Sequence, residues 1–292
     1  MSAQNVLFDA PGPKARRRHA VLAGIGALLA IAVAFFVVRK MQAAGQLHAY
    51  MWEPFLTDRS VWRDYLLKGL WGTLKAALIS IVLAGVLGLL LGVGRLSTVK
   101  AVRWFCGIFV EFFRAVPVLI MMIFAFGVYT TNSVFASDLN PLAAVVTGLT
   151  LYNGAVIAEL VRSGVYSLPR GQGEAGLSVG LTPGQVLRSI QLPQALTAML
   201  PALIGQFVTV LKDSALGTAI TYTELLTWSK TLGSAFTNTV PAYIVAAILF
   251  ITMNYLLSRL AVVVEKRLNR AGKTTARTVA APLPGTRATG KA

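Results

Sequence analysis

The amino-acid sequence predicts an all-α integral membrane protein with about six transmembrane helices. Of its 292 residues, 55% are hydrophobic and only 13% are charged, and the mean hydropathy is +0.67. Soluble domains carry about 25% charged residues. The apolar residues also fall into runs of about 20, the length that a helix needs to cross the hydrocarbon core of a bilayer. These two observations exclude a soluble globular protein.

The predicted spans, in chain order, cover residues 20–38, 70–93, 104–128, 141–161, 197–222 and 242–264. Within the third span, Pro117 predicts a kink. In the second, the segment GLLLG (88–92) has the small-residue spacing that lets helices pack closely, against another span or a second membrane subunit. The basic tail, 265–292, is poor in large apolar residues, and we predict that it is disordered.

The first span follows the basic segment KARRRH, as the apolar region of a signal peptide also would. However, its apolar run is longer than the roughly 7 to 15 residues of such a region. It also ends in Arg39 and Lys40, which do not suit a cleavage site. We therefore predict an uncleaved extra helix before a main membrane domain at 70–264, with a cleaved signal peptide as the alternative.

The net charge of +16 indicates how the chain is oriented. Lys and Arg are concentrated in the N-terminal segment 1–19, in the tail, and in the loops after the second and fourth spans. The positive-inside rule then places both termini and the loop 164–195 in the cytoplasm, and the loop 39–69 outside. Nucleic-acid binding, the other interpretation of a basic chain, is disfavoured because no aromatic and basic platform interrupts the spans. We expect membrane lipid, and no nucleic acid, around the protein.

No residue pattern predicts catalysis or a cofactor in this chain. Cys106 is the only cysteine, and the two histidines, His19 and His48, lie outside the predicted spans. The segment GQGEAG (171–176) matches a dinucleotide fingerprint but lacks the strand that must precede it. The segment GKTT (272–275) lacks the earlier glycine of a phosphate-binding loop, since position 267 is Arg. We expect no metal, no catalytic residue and no ATP site here.

The polar stretch EAGLSVGLTPGQVLRSIQLP, 174–193, predicts two short helices joined by a fixed elbow. Gly180 suits the left-handed position after the first helix. Thr182 and Gln185 form a capping box for the second helix, with Pro183 at its first turn. Pro193 is predicted to end that second helix.

The second helix carries a narrow apolar stripe, made by Val186, Leu187 and Ile190. Interfacial helices that bind lipid are usually rich in Lys and Arg, whereas Arg188 is the only cation between Gly171 and Gln194. We therefore predict that the elbow docks into a protein groove, with lipid as the alternative.

These residues resemble the EAA loop of bacterial ABC importer permeases. The matching positions are Glu174, Ala175, Gly180, Ile190, Leu192 and Pro193. Gly176 departs from the pattern, which has a second Ala there. The segments FRAVPVL (113–119), AVIAELVRSGVYSLPRGQGEA (155–175), LPQAL (192–196) and VLKDSALG (210–217) resemble polar amino-acid permeases, most closely the glutamate type. The resemblance extends over about residues 68–267.

The resemblance implies the transmembrane domain of a type I ABC importer, with a five-helix core plus the extra N-terminal helix. The function it implies is the uptake of a polar amino acid, glutamate in particular, across the bacterial plasma membrane. The implied partners are a dimer of ATPase subunits that uses ATP, a second permease subunit (related or identical) and an extracytoplasmic amino-acid-binding protein. The elbow would couple to the ATPase. We expect Glu174 to cap or salt-bridge at that contact, and Leu187 and Ile190 to fill the ATPase groove.

Charged residues inside the predicted spans form three local pairs: Glu111 with Arg114, Glu159 with Arg162, and Lys212 with Asp213. Intramembrane charges face protein, a cavity or a partner. One interpretation is neutralising pairs near the cytoplasmic ends of the spans. The other is a polar path for a zwitterionic or acidic substrate, in which Arg114, Asn153, Lys212 and Asp213 are the candidate residues.

Two other classes of function are compatible with an apolar chain of this kind. A secondary transporter or channel that is not driven by ATP would explain the spans and the intramembrane charges, but it would leave the spaced elbow motif unexplained. A membrane-embedded enzyme is disfavoured because no nucleophile and base are clustered in the sequence.

Overall fold

The structure of the chain, a computed structural model, describes residues 12–279; this range is mainly helical and contains no β-strand. Its α-helices, in chain order, are α1 (Pro13–Ala43), α2 (Ala49–Trp52), α3 (Pro54–Thr57), α4 (Leu67–Arg95), α5 (Lys100–Ala115), α6 (Val118–Thr131), α7 (Asn140–Tyr166), α8 (Arg170–Ser178), α9 (Pro183–Val186), α10 (Leu192–Asp213), α11 (Leu225–Ala235) and α12 (Thr239–Val279). Tighter or wider helical turns join some of them: π turns at Val61–Leu66 and Leu187–Gln191, and a 3₁₀ helix at Ser214–Ile220.

Five helical segments of the described chain are long and apolar enough to cross a membrane: Pro13–Ala43, Val61–Arg95, Asn140–Tyr166, Pro183–Ile220 and Thr239–Leu260. The pair α5 and α6 adds a sixth if the two helices count as one broken span. The predicted all-α membrane fold with about six spans is confirmed.

The third predicted span, 104–128, is not a straight helix. α5 and α6 meet at 99°, and Val116 between them is extended, with φ −82° and ψ 128°. Pro117 explains the break because proline lacks a backbone N–H and disfavours helical geometry in the residue before it. The predicted kink at Pro117 is confirmed, and its large angle turns α5 away from the direction of α6.

Helix α7 lies at the centre of the bundle, packed against α4, α5, α6 and α10. It lies close to α4 at the two glycines of GLLLG. A Cβ atom on Gly88 would lie 2.6 Å from Cβ of Ile157, and one on Gly92 would lie 2.7 Å from Cβ of Val161. Of the two uses predicted for these small residues, the structure shows packing between spans of the same chain.

Helix α1 differs from the other spans, since none of its residues is buried. Its large apolar side chains, such as Leu28 and Phe35, are exposed by 69% and 64%. The extra N-terminal helix is long enough to cross a bilayer. Because its side chains are exposed, it does not contribute to the core of the bundle.

The segment 39–69, predicted as a loop, is partly helical. It contains α2, α3 and the π turn, and the second span begins at Val61, earlier than predicted. Hydrogen bonds hold the segment in place: Trp62 Nε1 donates to the carbonyl of Phe55 at 2.8 Å, and Asn238 Nδ2 donates to the carbonyl of Met51 at 3.0 Å. The last bond ties the segment to the start of α12.

The C-terminal end also differs from the prediction of a disordered tail. α12 continues to Val279, beyond the predicted end of the span at 264. Glu265, Lys266, Arg267 and Leu268 are good helix formers, which favours this continuation. The rest of the tail, 280–292, lies outside the described residues.

Candidate functional site

The elbow predicted in the polar stretch is present between α8 and α9. Gly180 has a left-handed backbone, with φ +86°. The N–H of Gly180 donates to the carbonyl of Leu177 at 3.0 Å, and the N–H of Leu181 donates to that of Gly176 at 3.2 Å. This pair of bonds is the Schellman motif that ends a helix at a glycine, so Gly180 takes the position expected of it.

The capping box at the start of α9 also forms as predicted. Thr182 Oγ1 accepts the N–H of Gln185, and Gln185 Oε1 accepts the N–H of Thr182 at 2.8 Å. Pro183 occupies the first turn, where its missing N–H is tolerated. The direction of the chain as it leaves the elbow is therefore determined by local hydrogen bonds.

Gly176, the departure from the EAA pattern, is where the two short helices touch. It is buried, and a Cβ atom there would lie 2.8 Å from Val186 Cγ2 and 2.9 Å from Ile190 Cδ1. The residue without a side chain lets α8 close onto the apolar stripe of the following helix. The departure from the pattern is visible in the sequence, but this contact is not, because it depends on how the elbow folds back.

Pro193 does not end the second helix, and that prediction is wrong. The helical path continues through the π turn, in which the N–H of Leu192 reaches the carbonyl of Leu187. Pro193 then lies in the first turn of α10, where a missing N–H is tolerated. The segment Pro183–Ile220 is thus one continuous helical path of 38 residues.

The apolar stripe of the second helix faces the protein rather than solvent. Leu187 and Leu192 pack against a cluster that includes Val165 and Met199, and Ile190 is half-buried against Gly176. The outer surface of the elbow instead exposes Leu177 by 51% and Val179 by 77%.

The other polar positions of the elbow are open. Glu174, Ala175 and Arg188 are exposed, and no ion pair joins Glu174 to another described side chain. Together with Leu177 and Val179, these residues make up the exposed tip of the elbow.

Below the elbow, five charged side chains from three helices form one network. The carboxylate of Glu159 on α7 accepts hydrogen bonds from Arg95 of α4 at 2.5 Å and from Arg162 at 2.5 Å. Arg95 also pairs with Glu111 at 3.1 Å. Arg114 lies 3.7 Å from both carboxylates. Of the three predicted local pairs, two form ion pairs that neutralise charge within the network: Glu111 with Arg114 and Glu159 with Arg162.

Arg95 was not identified as a site residue from the sequence. A signal for it exists: Gly92 packs against Val161, so the end of α4 one turn later lies next to Glu159 and Arg162. The close helix approach implied by GLLLG leads to this position, once the partner helix is known.

Asn153 is fully buried and its amide is satisfied inside the bundle. Its Nδ2 donates to the carbonyl of Leu149 at 2.8 Å, and its Oδ1 accepts a hydrogen bond from Gln206 Nε2 of α10. Gln206 was not predicted. The pair clamps α7 to α10 at mid-span.

Lys212 lines a cavity of about 810 Å³ between the C-terminal end of α10, the 3₁₀ helix, α11 and α12. Lys230 and Asn254, which were not predicted, line the same cavity. Asp213 is half-buried next to Lys212 in the chain but is not part of the lining. The structure therefore does not bring Arg114, Asn153, Lys212 and Asp213 together into one path.

Helix α11, which forms one wall of this cavity, is anchored by Glu224. This fully buried carboxylate accepts the backbone N–H groups of Leu226 and Thr227, each at 2.7 Å. Burial raises the pKa of the Glu224 carboxyl, and the two N–H bonds oppose that shift. Within the described residues, no group of three or more His, Cys, Asp or Glu side chains is placed to hold a metal ion.

Residues 84–270 match the sequence family described as binding-protein-dependent transport system inner membrane component. The glutamate transport system permease protein GluD of Corynebacterium glutamicum is 48% identical over 229 residues, which covers 78% of this chain and 83% of that protein. The L-cystine transport system permease protein TcyB of Bacillus subtilis is 30% identical over 216 residues, covering 74% of this chain and 91% of that protein.

The fold of this chain is similar to that of solved ABC transporter structures. A crystal structure of an amino-acid ABC transporter with histidines superposes with a TM-score of 0.64 at 25% identity, covering 70% of this chain and 95% of that one. An inward-facing methionine ABC transporter, MetNI, superposes with a TM-score of 0.62 at 22% identity, covering 73% and 99%.

Proposed function

Because this chain belongs to the family of binding-protein-dependent transport system inner membrane components, we propose that the amino acid it carries is glutamate. The chain is a multi-pass membrane protein and a permease subunit of an amino-acid ABC importer. Its fold is that of the transmembrane domain of a type I ABC importer. The single observation that supports glutamate is the 48% identity to a glutamate permease, against 30% to a cystine permease.

The energy for transport comes from ATP bound by a separate dimer of ATPase subunits, and this chain has no cofactor of its own. In support, the sequence contains no complete nucleotide motif, and the elbow offers an exposed tip. Leu177 and Val179 provide apolar contact on that tip, and Glu174 and Arg188 provide charge. This combination suits a groove on a protein partner.

The continuous helical path explains how movement at the elbow reaches the membrane. When ATP closes the ATPase dimer, the elbow moves with it. The path from Pro183 to Ile220 transmits that displacement to the outer end of α10, beside Lys212. The clamp between Asn153 and Gln206 makes α7 follow α10.

The remaining parts of the importer follow from this arrangement. Both termini and the elbow lie in the cytoplasm of a bacterium, with the chain in its plasma membrane. A second permease, related or identical, pairs with this one, and an extracytoplasmic binding protein delivers the amino acid.

Uptake of a panel of labelled amino acids tests this proposal in cells that lack the gene, with and without its restoration. We expect glutamate uptake to be lost and then recovered, while uptake of glutamine and histidine does not change. Depletion of ATP should stop the recovered uptake, and a proton uncoupler applied with ATP maintained should not. Uptake that follows the uncoupler instead would support a secondary transporter, and an unchanged glutamate signal would refute glutamate as the substrate.

A further inference from the structure

Helix α5 has one face packed against the bundle and another face exposed. Cys106 packs against Gly94 of α4, and Val110, one turn later in α5, lies in a cluster with Leu91, about one turn earlier in α4. Helix α5 therefore runs back along α4. Its outward face exposes four large apolar side chains by 50% to 70%: Trp104, Phe105, Ile108 and Phe112.

These side chains form an open groove of about 280 Å³. Its lining is aromatic and aliphatic: Trp104, Phe105, Ile108, Phe109, Phe112 and Phe113. Residues 104–113 rise about 15 Å along a helix, which is half of the roughly 30 Å hydrocarbon core of a bilayer. Beyond them, α6 leaves at 99° to α5, so the groove does not continue in the direction of α5. The groove thus has the length of an acyl chain in one leaflet.

Two cations lie where α5 begins. Lys100 precedes Trp104 by one helical turn, and Arg103 is adjacent to Trp104 in the chain; both cations are exposed. Neither forms an ion pair with a carboxylate among residues 12–279. The sequence contains no Asp or Glu from Leu96 to Val110. This end of α5 is therefore positively charged, and it adjoins an apolar groove.

This positive end lies on the same side of the bundle as the elbow. Helix α5 begins shortly after α4 ends at Arg95, and Arg95 contacts Glu159 in the last turns of α7. Tryptophan is enriched where a bilayer meets water, and the indole N–H of Trp104 makes no hydrogen bond within the described part of the chain. Cations and an indole donor at this depth suit a lipid headgroup.

A second copy of this chain fits the same face less well. In a symmetric pair each patch meets its own copy, so Lys100 and Arg103 would approach the same cations of the other chain. Glu111, the acidic side chain of α5, already pairs with Arg95 at 3.1 Å. The charges at this end of α5 therefore favour an anionic ligand over a second copy.

We propose that α5 binds one anionic phospholipid, of the phosphatidylglycerol type, from the leaflet on the side of the elbow. Its phosphate pairs with Lys100 and Arg103 and accepts the indole N–H of Trp104, while one acyl chain lies in the groove beside Phe105. The lipid braces α5, which carries two of the five charged side chains of the network below the elbow. This binding does not depend on which amino acid the importer carries.

The test uses the purified complex of this permease with its partner subunits, stripped of lipid in detergent. Native mass spectrometry measures the binding of phosphatidylglycerol and of phosphatidylcholine with the same acyl chains. We expect phosphatidylglycerol to bind at least about fivefold more tightly, the factor that corresponds to one basic residue near an anionic lipid. Inorganic phosphate at the same concentration should not displace it, because phosphate alone has no chain to place in the groove.

Two variants with matched controls locate the site. Lys100→Gln should weaken phosphatidylglycerol binding about fivefold and leave phosphatidylcholine binding unchanged. Lys75→Gln makes the same change of charge at an exposed position on α4 and should bind as wild type. Phe105→Ala should weaken the binding of both lipids, whereas Phe35→Ala, at a side chain of α1 that is also 64% exposed, should weaken neither.

Equal affinity for the two phospholipids, or equal losses in the control variants, would overturn the site. Displacement by inorganic phosphate would also overturn it and would indicate a simple anion site. A complex that binds no lipid, and in which Phe105→Ala separates the paired permeases, would assign this face to a second permease instead. The measurement is lipid binding, so failure of the proposed function, seen as absent glutamate uptake, is a separate result.

Discussion

The guanidinium of Arg95 donates to the carboxylate of Glu159 at 2.5 Å, across 64 positions of the sequence. This contact joins the C-terminal end of α4 to the last turns of α7, shortly before the chain enters the elbow. The same carboxylate also binds Arg162. Glu159 therefore anchors the base of the element that we propose to be moved by the ATPase.

We expect Glu159→Gln to lower the free energy of unfolding by about 2 kcal/mol, the scale of hydrogen bonds to charged groups. The change leaves three arginines around a single remaining carboxylate, that of Glu111. Thermal unfolding of the purified protein in detergent measures the loss. Asp64→Asn is the matched control because its partners Arg63 and Lys68 are exposed by 82% and 53%, and exposed ion pairs contribute little to stability. Equal effects of the two variants would contradict an anchoring role for Glu159.

The features of the elbow that could be predicted from the sequence are those fixed by neighbours in the chain. The Schellman turn at Gly180 and the capping box of Thr182 involve residues no more than five positions apart, so the local pattern contains the information. Arg95 and the clamp on Asn153 depend on which helices pack together, and one sequence does not specify that. The prediction that Pro193 ends the second helix was wrong because proline is found both after the end of a helix and in the first turn of the next one.

We expect Gly176→Ala to be destabilising even though alanine is the residue of the EAA pattern. Alanine would gain about 1 kcal/mol of helix propensity. Its Cβ would lie 2.8 Å from Val186 Cγ2, in an elbow where Val186 is 4% exposed and has little room to move. Overpacking of this kind costs about 1 to 3 kcal/mol, so the net effect is a loss. Thermal unfolding and glutamate uptake are the measurements.

Two further variants separate packing from propensity. Gly171→Ala lies on the same helix with nothing within 4 Å of the added Cβ, and it should be neutral or stabilising. The double variant Gly176→Ala with Val186→Ala should recover part of the loss, because the smaller side chain makes room. No recovery in the double variant would argue against the close contact across the elbow.

The exposed tip leads to a prediction about coupling. We expect the double variant Leu177→Ser with Val179→Ser to lose most glutamate uptake and to copurify poorly with the ATPase, since both side chains are exposed and free to contact a partner. Its thermal stability should stay within about 0.5 kcal/mol of wild type, as for other surface changes. Leu187→Ala should behave in the opposite way and lose stability first, because Leu187 packs inward. Normal copurification of the tip variant would place the ATPase contact elsewhere.

The buried carboxylate of Glu224 predicts a pH dependence of stability. Because burial raises its pKa above the ordinary 4.5, the folded protein holds this proton more tightly than the unfolded chain does. The stabilising effect of that proton is fully present below pH 4.5 and is lost as the pH rises through the folded pKa. Glu224→Gln cannot lose a proton there, so the melting temperature of wild type relative to the variant should fall as the pH rises across that window. Thermal unfolding of both proteins at a series of pH values measures the difference. Parallel curves would mean that Glu224 has the same pKa in the folded and unfolded states, because the N–H bonds from Leu226 and Thr227 offset the effect of burial.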